Sequence, residues 1–184
     1  MNGAELAALD RLLLARSVRH GTFVLASGRT STFYVDARLT TMSAEGQVLI
    51  GRLGLAAIRN RGWSPRAVGG LTLGADPVAY AIAAASVANP PLVDAFSIRK
   101  EAKTHGTGRR IEGNFQPGDP VVVVEDVLTT GGSALQAIEA LREAGARILG
   151  VLAVVDREEG GRVAIEEAGY EVVALTTATR LGLR

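Results

Sequence analysis

Apolar positions along this chain follow two periods, and the two alternate. Leucines at 6, 9, 12, 13 and 14 mark one face of a helix over 5–18. A second helical pattern spans 43–60, with Ser43 placed to cap it and Glu45 in its first turn; Gly62 and Pro65 end it. Ala67-Val68-Gly69-Gly70 then reads as a short buried strand, and 76–88 as an alanine-rich helix opened by Asp76-Pro77. Residues 92–98 predict another strand. About twenty irregular residues follow, 99–119, with glycines at 106, 108, 113 and 118. Val121-Val122-Val123-Val124 is a strand buried on both faces, and the helical pattern of ALQAIEALREAG comes after it. A strand over 147–155, a short helix over 160–168 and a strand over 171–176 complete the chain. Strand alternating with helix predicts an α/β fold: an open parallel sheet flanked by helices, in one domain spanning 1–184, with about 1–40 forming a small N-terminal cap. In such sheets ligands bind beyond the carboxyl ends of the strands, so the loops after 70, 98, 126 and 155 are expected to converge.

Composition narrows the chemistry. At 184 residues the chain can bury roughly 70% of its unfolded surface as one domain. A net charge of +1 gives no general attraction to nucleic acid or membrane. No cysteine is present, which excludes a disulfide framework and thiolate metal sites and suits a cytoplasmic setting. The N-terminal apolar run is broken by Glu5, Asp10, Arg11 and Arg16, so it reads as an amphipathic helix and not a signal peptide. Of the 20 basic residues only Lys100 and Lys103 are lysine, and both fall in the segment Arg99-Lys100-Glu101-Ala102-Lys103-Thr104-His105. Compact, mobile point charges suit an anion that moves. With Arg109 and Arg110 they make 99–119 a cationic, glycine-rich lid. Such a lid suits a leaving group of high negative charge, because it neutralises the departing oxygens and excludes water.

The densest chemistry lies at 121–133, VVVVEDVLTTGGS. A hydroxyl- and glycine-rich turn at a helix N-terminus can surround a phosphate with backbone N–H groups. Glu125 and Asp126 would repel that phosphate, but they suit a neighbouring polyol, whose hydroxyls donate to carboxylates, or a metal shared with the ligand. A phosphate cradle beside a diol clamp describes a phosphorylated ribose. The acidic strand of a P-loop NTPase is excluded, since neither lysine follows glycine. Gly106-Thr107-Gly108-Arg109-Arg110-Ile111 lacks the third glycine of a dinucleotide fingerprint and opens no helix.

The stretch resembles the phosphoribosyl-pyrophosphate (PRPP) signature of the type I phosphoribosyltransferases. Four further segments, in order over most of 20–160, are similar to the orotate phosphoribosyltransferases among them. Phe23 with Ser27-Gly28-Arg29-Thr30-Ser31-Thr32-Phe33-Tyr34-Val35-Asp36 resembles the substrate segment, and Thr72-Leu73-Gly74-Ala75-Asp76-Pro77 the pyrophosphate loop. Arg99-Lys100 through Lys103, His105, Gly106 and Gly108 to Glu112-Gly113 resembles the lid, and Val155-Asp156-Arg157 the base-binding strand end. The resemblance implies a type I phosphoribosyltransferase fold whose N-terminal cap is a hood. It also implies Mg²⁺ held mainly through PRPP, and a homodimer whose lid is shared between subunits.

Residue by residue, the resemblance gives PRPP to Arg99, Lys100, Lys103, His105, Glu125, Asp126, Val127, Leu128, Thr129, Thr130, Gly131, Gly132 and Ser133. It gives pyrophosphate to Thr72, Leu73, Gly74, Ala75 and Asp76, and orotate to Thr129, Arg157, Phe33 and Tyr34. Lys103, His105 and Asp126 take the catalytic roles. Two departures stand out: Ala26, and the uncharged Thr72-Leu73-Gly74, occupy places where many members carry lysine. The expected reaction makes orotidine 5′-phosphate and pyrophosphate from orotate and PRPP. A transferase for a purine base and a PRPP-sensing regulator of the same fold are the alternatives.

Overall fold

The structure, a computed structural model, describes residues 2–24, 30–100 and 110–184. Its elements in chain order are α1 (Gly3–Arg16), β1 (Val18–Val24), β2 (Thr30–Val35), α2 (Arg38–Thr41), α3 (Ala44–Asn60), β3 (Ala67–Leu71) and α4 (Ala75–Ala88). Then come β4 (Asp94–Ile98), β5 (Ile111–Gly113), β6 (Pro120–Leu128), α5 (Gly132–Glu143), β7 (Arg147–Asp156), α6 (Gly161–Glu167) and β8 (Val172–Thr177). The main sheet runs β5-β4-β3-β6-β7-β8, with every neighbouring pair parallel except β4 and β5. It is therefore mostly parallel, with one antiparallel edge. Residues 111–113, expected to be irregular, pair instead with 96–98.

The valine run explains the layering. Val122 and Val124 face a core built with α1, α3 and α4, whereas Val121 and Val123 face one built with α5 and α6. Helices cover both faces, so no position in the run can be polar. Each such side chain contributes about 1.5–3 kcal/mol when withdrawn from water. Ser43 caps α3 as expected, its Oγ accepting from Gly46 N at 3.1 Å. β1 and β2 form a separate antiparallel ribbon. It joins the main body through β2, whose Phe33 and Val35 are buried, and through Asp36 N, which donates to Ser17 O at 2.9 Å.

Strands 3, 4 and 5 run outward to one side of the sheet and 6, 7 and 8 to the other. The order reverses between β3 and β6, and a crevice opens at that point beyond the strands' carboxyl ends.

Candidate active site

A cleft of about 310 Å³ occupies this switch point. Its walls are the end of β2 with the turn after it (Tyr34, Asp36, Arg38), the loop after β3 (Thr72, Leu73, Gly74), Lys100 after β4, and Glu125, Asp126, Val127 and Ser133 of β6 and α5. Loops after 70, 98 and 126 thus meet as expected. A larger cavity of about 870 Å³ lies against β5, lined by Ile111, Phe115 and Ala140 among others, and by none of the residues of this cleft. Paired acids, a cation and a helix start occur together only in the smaller cleft among the described residues, so the chemistry belongs there.

The two acids are not at the end of a strand. β6 continues through Leu128, with Val127 and Leu128 pairing with Val155 and Asp156. Glu125 consequently lies inside the sheet, 7% exposed. Burial, and then the charge of Asp126 beside it, push its carboxyl up to about 8. Burial also raises Asp126, opposed by a hydrogen bond from Val127 N to its Oδ1 at 2.9 Å. Near neutral pH the pair holds a proton, and so presents a hydroxyl donor beside carboxylate acceptors. Asp126 leans on the loop after β3: a Cβ at Gly74 would stand 2.4 Å from its Oδ1, so a larger residue there would push the carboxylate aside. The Thr72–Leu73 peptide of the same loop is cis.

One turn further, Gly131 begins α5 with φ +85° and no side chain caps the helix. Its first N–H groups have no intrahelical acceptor and are directed at whatever lies beyond the terminus. Thr129 holds the turn from behind, its carbonyl accepting from Gly161 N at 2.9 Å. Leu128 points away, fully buried in the α5 side of the core.

Other expected site residues are used differently by the fold. Ala75 is buried inside α4, and Asp76 Oδ1 accepts from Ser97 Oγ at 2.6 Å, tying α4 to β4. Only Thr72, Leu73 and Gly74 of that loop reach the cleft. Arg99 donates from Nε to Glu112 Oε1 at 3.3 Å, along the β4–β5 edge. Arg157 does not line the cleft either: it is 3% exposed, with Nη2 2.8 Å from Glu159 Oε1 and 3.3 Å from Ser31 Oγ. Its guanidinium carbon lies 4.7 Å from the centroid of the Phe33 ring. Nε of the same group is buried with no hydrogen-bond partner, an unmet donor where the end of β7 meets β2. Lys103, His105 and the segment Ser27-Gly28-Arg29 lie outside the described residues. Sequence reading placed Asp36 in the substrate segment without a role of its own and missed Arg38.

The acid pair, the adjoining glycine loop and the uncapped helix can together hold a ribose bearing phosphate at one end and a second anion at the other. The comparisons with known proteins agree. A phosphoribosyl transferase domain family matches residues 44–172. The orotate phosphoribosyltransferase of Aquifex aeolicus is 46% identical, over 96% of this chain and 97% of that protein. A crystal structure of the Mycobacterium tuberculosis orotate phosphoribosyltransferase in complex with PRPP superposes with TM-score 0.82 at 40% identity, covering 97% of this chain and 99% of that one. An adenine phosphoribosyltransferase from Leishmania donovani, 18% identical with TM-score 0.62 over 94% of this chain and 81% of its own, shares the fold alone.

Proposed function

The chain belongs to the orotate phosphoribosyltransferases of the phosphoribosyl transferase family, and we propose that it transfers ribose 5-phosphate from PRPP to orotate. The observation that carries this reading is the placement of Glu125 and Asp126, side by side at the switch point, with Gly74 against one and the uncapped start of α5 beyond both.

In this reading the acid pair accepts from the ribose hydroxyls, while Thr129, Thr130, Gly131, Gly132 and Ser133 surround the 5′-phosphate. Thr72, Leu73 and Gly74 take the pyrophosphate end. An orotate ring nitrogen attacks ribose C1 from the opposite face and gives up its proton to solvent or the departing diphosphate; the C1–O bond breaks and its electron pair leaves with pyrophosphate. The protein supplies position and charge, and no side chain attacks. Lys100, with Lys103 and His105 from the lid, meets the charge that grows on the leaving oxygens.

Among the described residues no group of three metal-ligating side chains occurs. Asp126, with Glu125 and the oxygens of the ligand, is the donor set Mg²⁺ would use. A hard cation shared with a diphosphate requires no dedicated protein cage. When bound, Mg²⁺ would neutralise part of the diphosphate charge.

The rest of the proposal is a cytoplasmic homodimer, each chain one phosphoribosyltransferase domain with residues to about 40 as a hood. Each subunit's lid would close over its partner's site, with Lys103 acting there in trans, while Lys100 serves the cleft of its own chain. No helix among the described residues is long and apolar enough to cross a membrane.

Loss of orotate absorbance with PRPP and Mg²⁺ present is the direct test. Turnover of adenine or hypoxanthine in its place, with orotate inert, would overturn the assignment. Arg157→Ala checks the base pocket. Its guanidinium, whose Nε has no hydrogen-bond partner among the described residues, is the group we assign to the orotate carboxylate, and a charged hydrogen bond contributes about 1.5–3 kcal/mol. The KM for orotate should rise at least tenfold, by about 1.4 kcal/mol per decade, while that for PRPP stays within about twofold. Tm should also fall, because the change takes a partner from Glu159; the ratio of the two KM values is what decides. A rise confined to PRPP would give Arg157 a different ligand.

A further inference from the structure

The leaving group is the most highly charged part of the donor, yet the loop that faces it, Thr72-Leu73-Gly74, has no charged side chain. Among the described residues that line the cleft, three are acids, Asp36, Glu125 and Asp126, and two are cations, Lys100 and Arg38. Lys100 enters after β4. Arg38 enters as the first residue of α2, and its side chain is 46% exposed.

Arg38 is held ready. Its Nε and Nη2 donate to the two oxygens of Asp36 at 2.8 and 3.0 Å, and its backbone N donates to Asp36 Oδ1 at 3.2 Å. Asp36 is itself fixed by the bond from its N to Ser17 O, and the buried pair Ser17 Oγ···Thr40 Oγ1 at 2.7 Å locks α2 behind it. One edge of the guanidinium is therefore engaged. Nη1 has no hydrogen-bond partner among the described residues, so the other edge is available to a planar or tetrahedral anion. Arg38, Asp126 and the Thr72-Leu73-Gly74 loop line the same cleft, and Arg38 lies close enough to Asp126 for its charge to favour the Asp126 anion.

We propose that Arg38 is a substrate-binding residue: positioned by Asp36, it takes the diphosphate end of PRPP, and free pyrophosphate, in the cleft it shares with Thr72-Leu73-Gly74. The inference rests on the transferase reading above and extends it to the specificity of one wall. It makes Asp36 a positioning residue that touches no ligand, and it supplies the loop's missing cation from another part of the chain. Arginine suits the place, because a fork bound on one edge still offers a second edge in fixed orientation, which lysine does not.

Titration calorimetry of the full-length protein in Mg²⁺ buffer, with pyrophosphate and separately with ribose 5-phosphate, tests this. Arg38→Gln should weaken pyrophosphate, and raise the KM for PRPP, by roughly tenfold or more, the loss expected for one charged hydrogen bond. Ribose 5-phosphate affinity and the KM for orotate should stay within about twofold. Arg38→Lys should recover part of the loss, and Asp36→Asn should show a smaller rise in the KM for PRPP with kcat little changed. Unaltered pyrophosphate binding in Arg38→Gln overturns the proposal. So does equal weakening of both ligands, which would place Arg38 at the 5′-phosphate or in the fold generally, and so does Arg38→Lys as weak as Arg38→Gln with a lowered Tm. Wild-type turnover is measured alongside: a wild type that binds pyrophosphate but leaves orotate unchanged fails the transferase reading, whereas an active wild type with an indifferent Arg38→Gln fails this inference alone.

Discussion

Asp126→Asn is expected to reduce kcat/KM by at least tenfold while leaving the protein folded. The substitution keeps the size of the side chain and an oxygen for the bond from Val127 N, so nothing in β6 need move. What it removes is an anionic acceptor in a cleft whose other acids are Glu125, which burial keeps protonated, and Asp36, which is engaged by Arg38. A hydrogen bond to a charged group contributes about 1.5–3 kcal/mol, and about 1.4 kcal/mol is a factor of ten in rate. Removing a charge that burial already disfavours should leave Tm equal or slightly higher. Steady-state kinetics with both substrates varied, beside a melting curve, give the answer. An unchanged kcat/KM would remove Asp126 from the donor site, whereas lost activity with a collapsed Tm would make its role structural.

Much of this site was legible because its parts are local in sequence. The valine run, the two acids and the Thr-Thr-Gly-Gly-Ser turn are consecutive, and strand followed by uncapped helix is a motif that needs no tertiary information. The same holds for the cap at Ser43 and for the alternation that predicts the sheet. What escaped depends on partners far away in the chain. β1, Val-Arg-His-Gly-Thr-Phe-Val, is exposed along most of its length and shows no apolar alternation; it exists as a strand because β2 pairs with it. β5 is three residues long and is defined only by its ladder with β4. Arg38 is one of eighteen arginines, and nothing near it distinguishes it except an aspartate two residues earlier. Its place in the cleft follows from how β2 and α2 lie over the sheet. Arg157 shows the reverse: its position after a strand was readable, but its ion pair with Glu159 and its stacking on Phe33 were not.

The acids themselves carry a cost that sequence alone did not show, because β6 was expected to stop where it continues. Pairing of Val127 and Leu128 with β7 draws Glu125 into the sheet, and its carboxyl rises from an ordinary 4.5 to about 8. Between pH 4.5 and 8 the folded protein keeps a proton that the unfolded chain has released, so stability falls as pH rises through that window. Below it both states are protonated and the cost vanishes. Above it the cost is complete, of order a few kcal/mol at about 1.4 kcal/mol per pH unit.

Glu125→Gln cannot ionise and should escape this cost. Measured by calorimetry or dye binding, the variant should melt close to wild type at pH 5 and clearly higher at pH 8.5, the gap widening across the interval. At pH 7 the glutamine imitates a carboxyl that is already mostly protonated in the free protein, so its kcat/KM should fall less than that of Asp126→Asn. The two substitutions would then separate what the pair does: one member held neutral by burial to orient and donate, the other kept anionic to accept. A Tm gap that stays constant from pH 5 to pH 8.5 would place the proton on another group and end this division of labour.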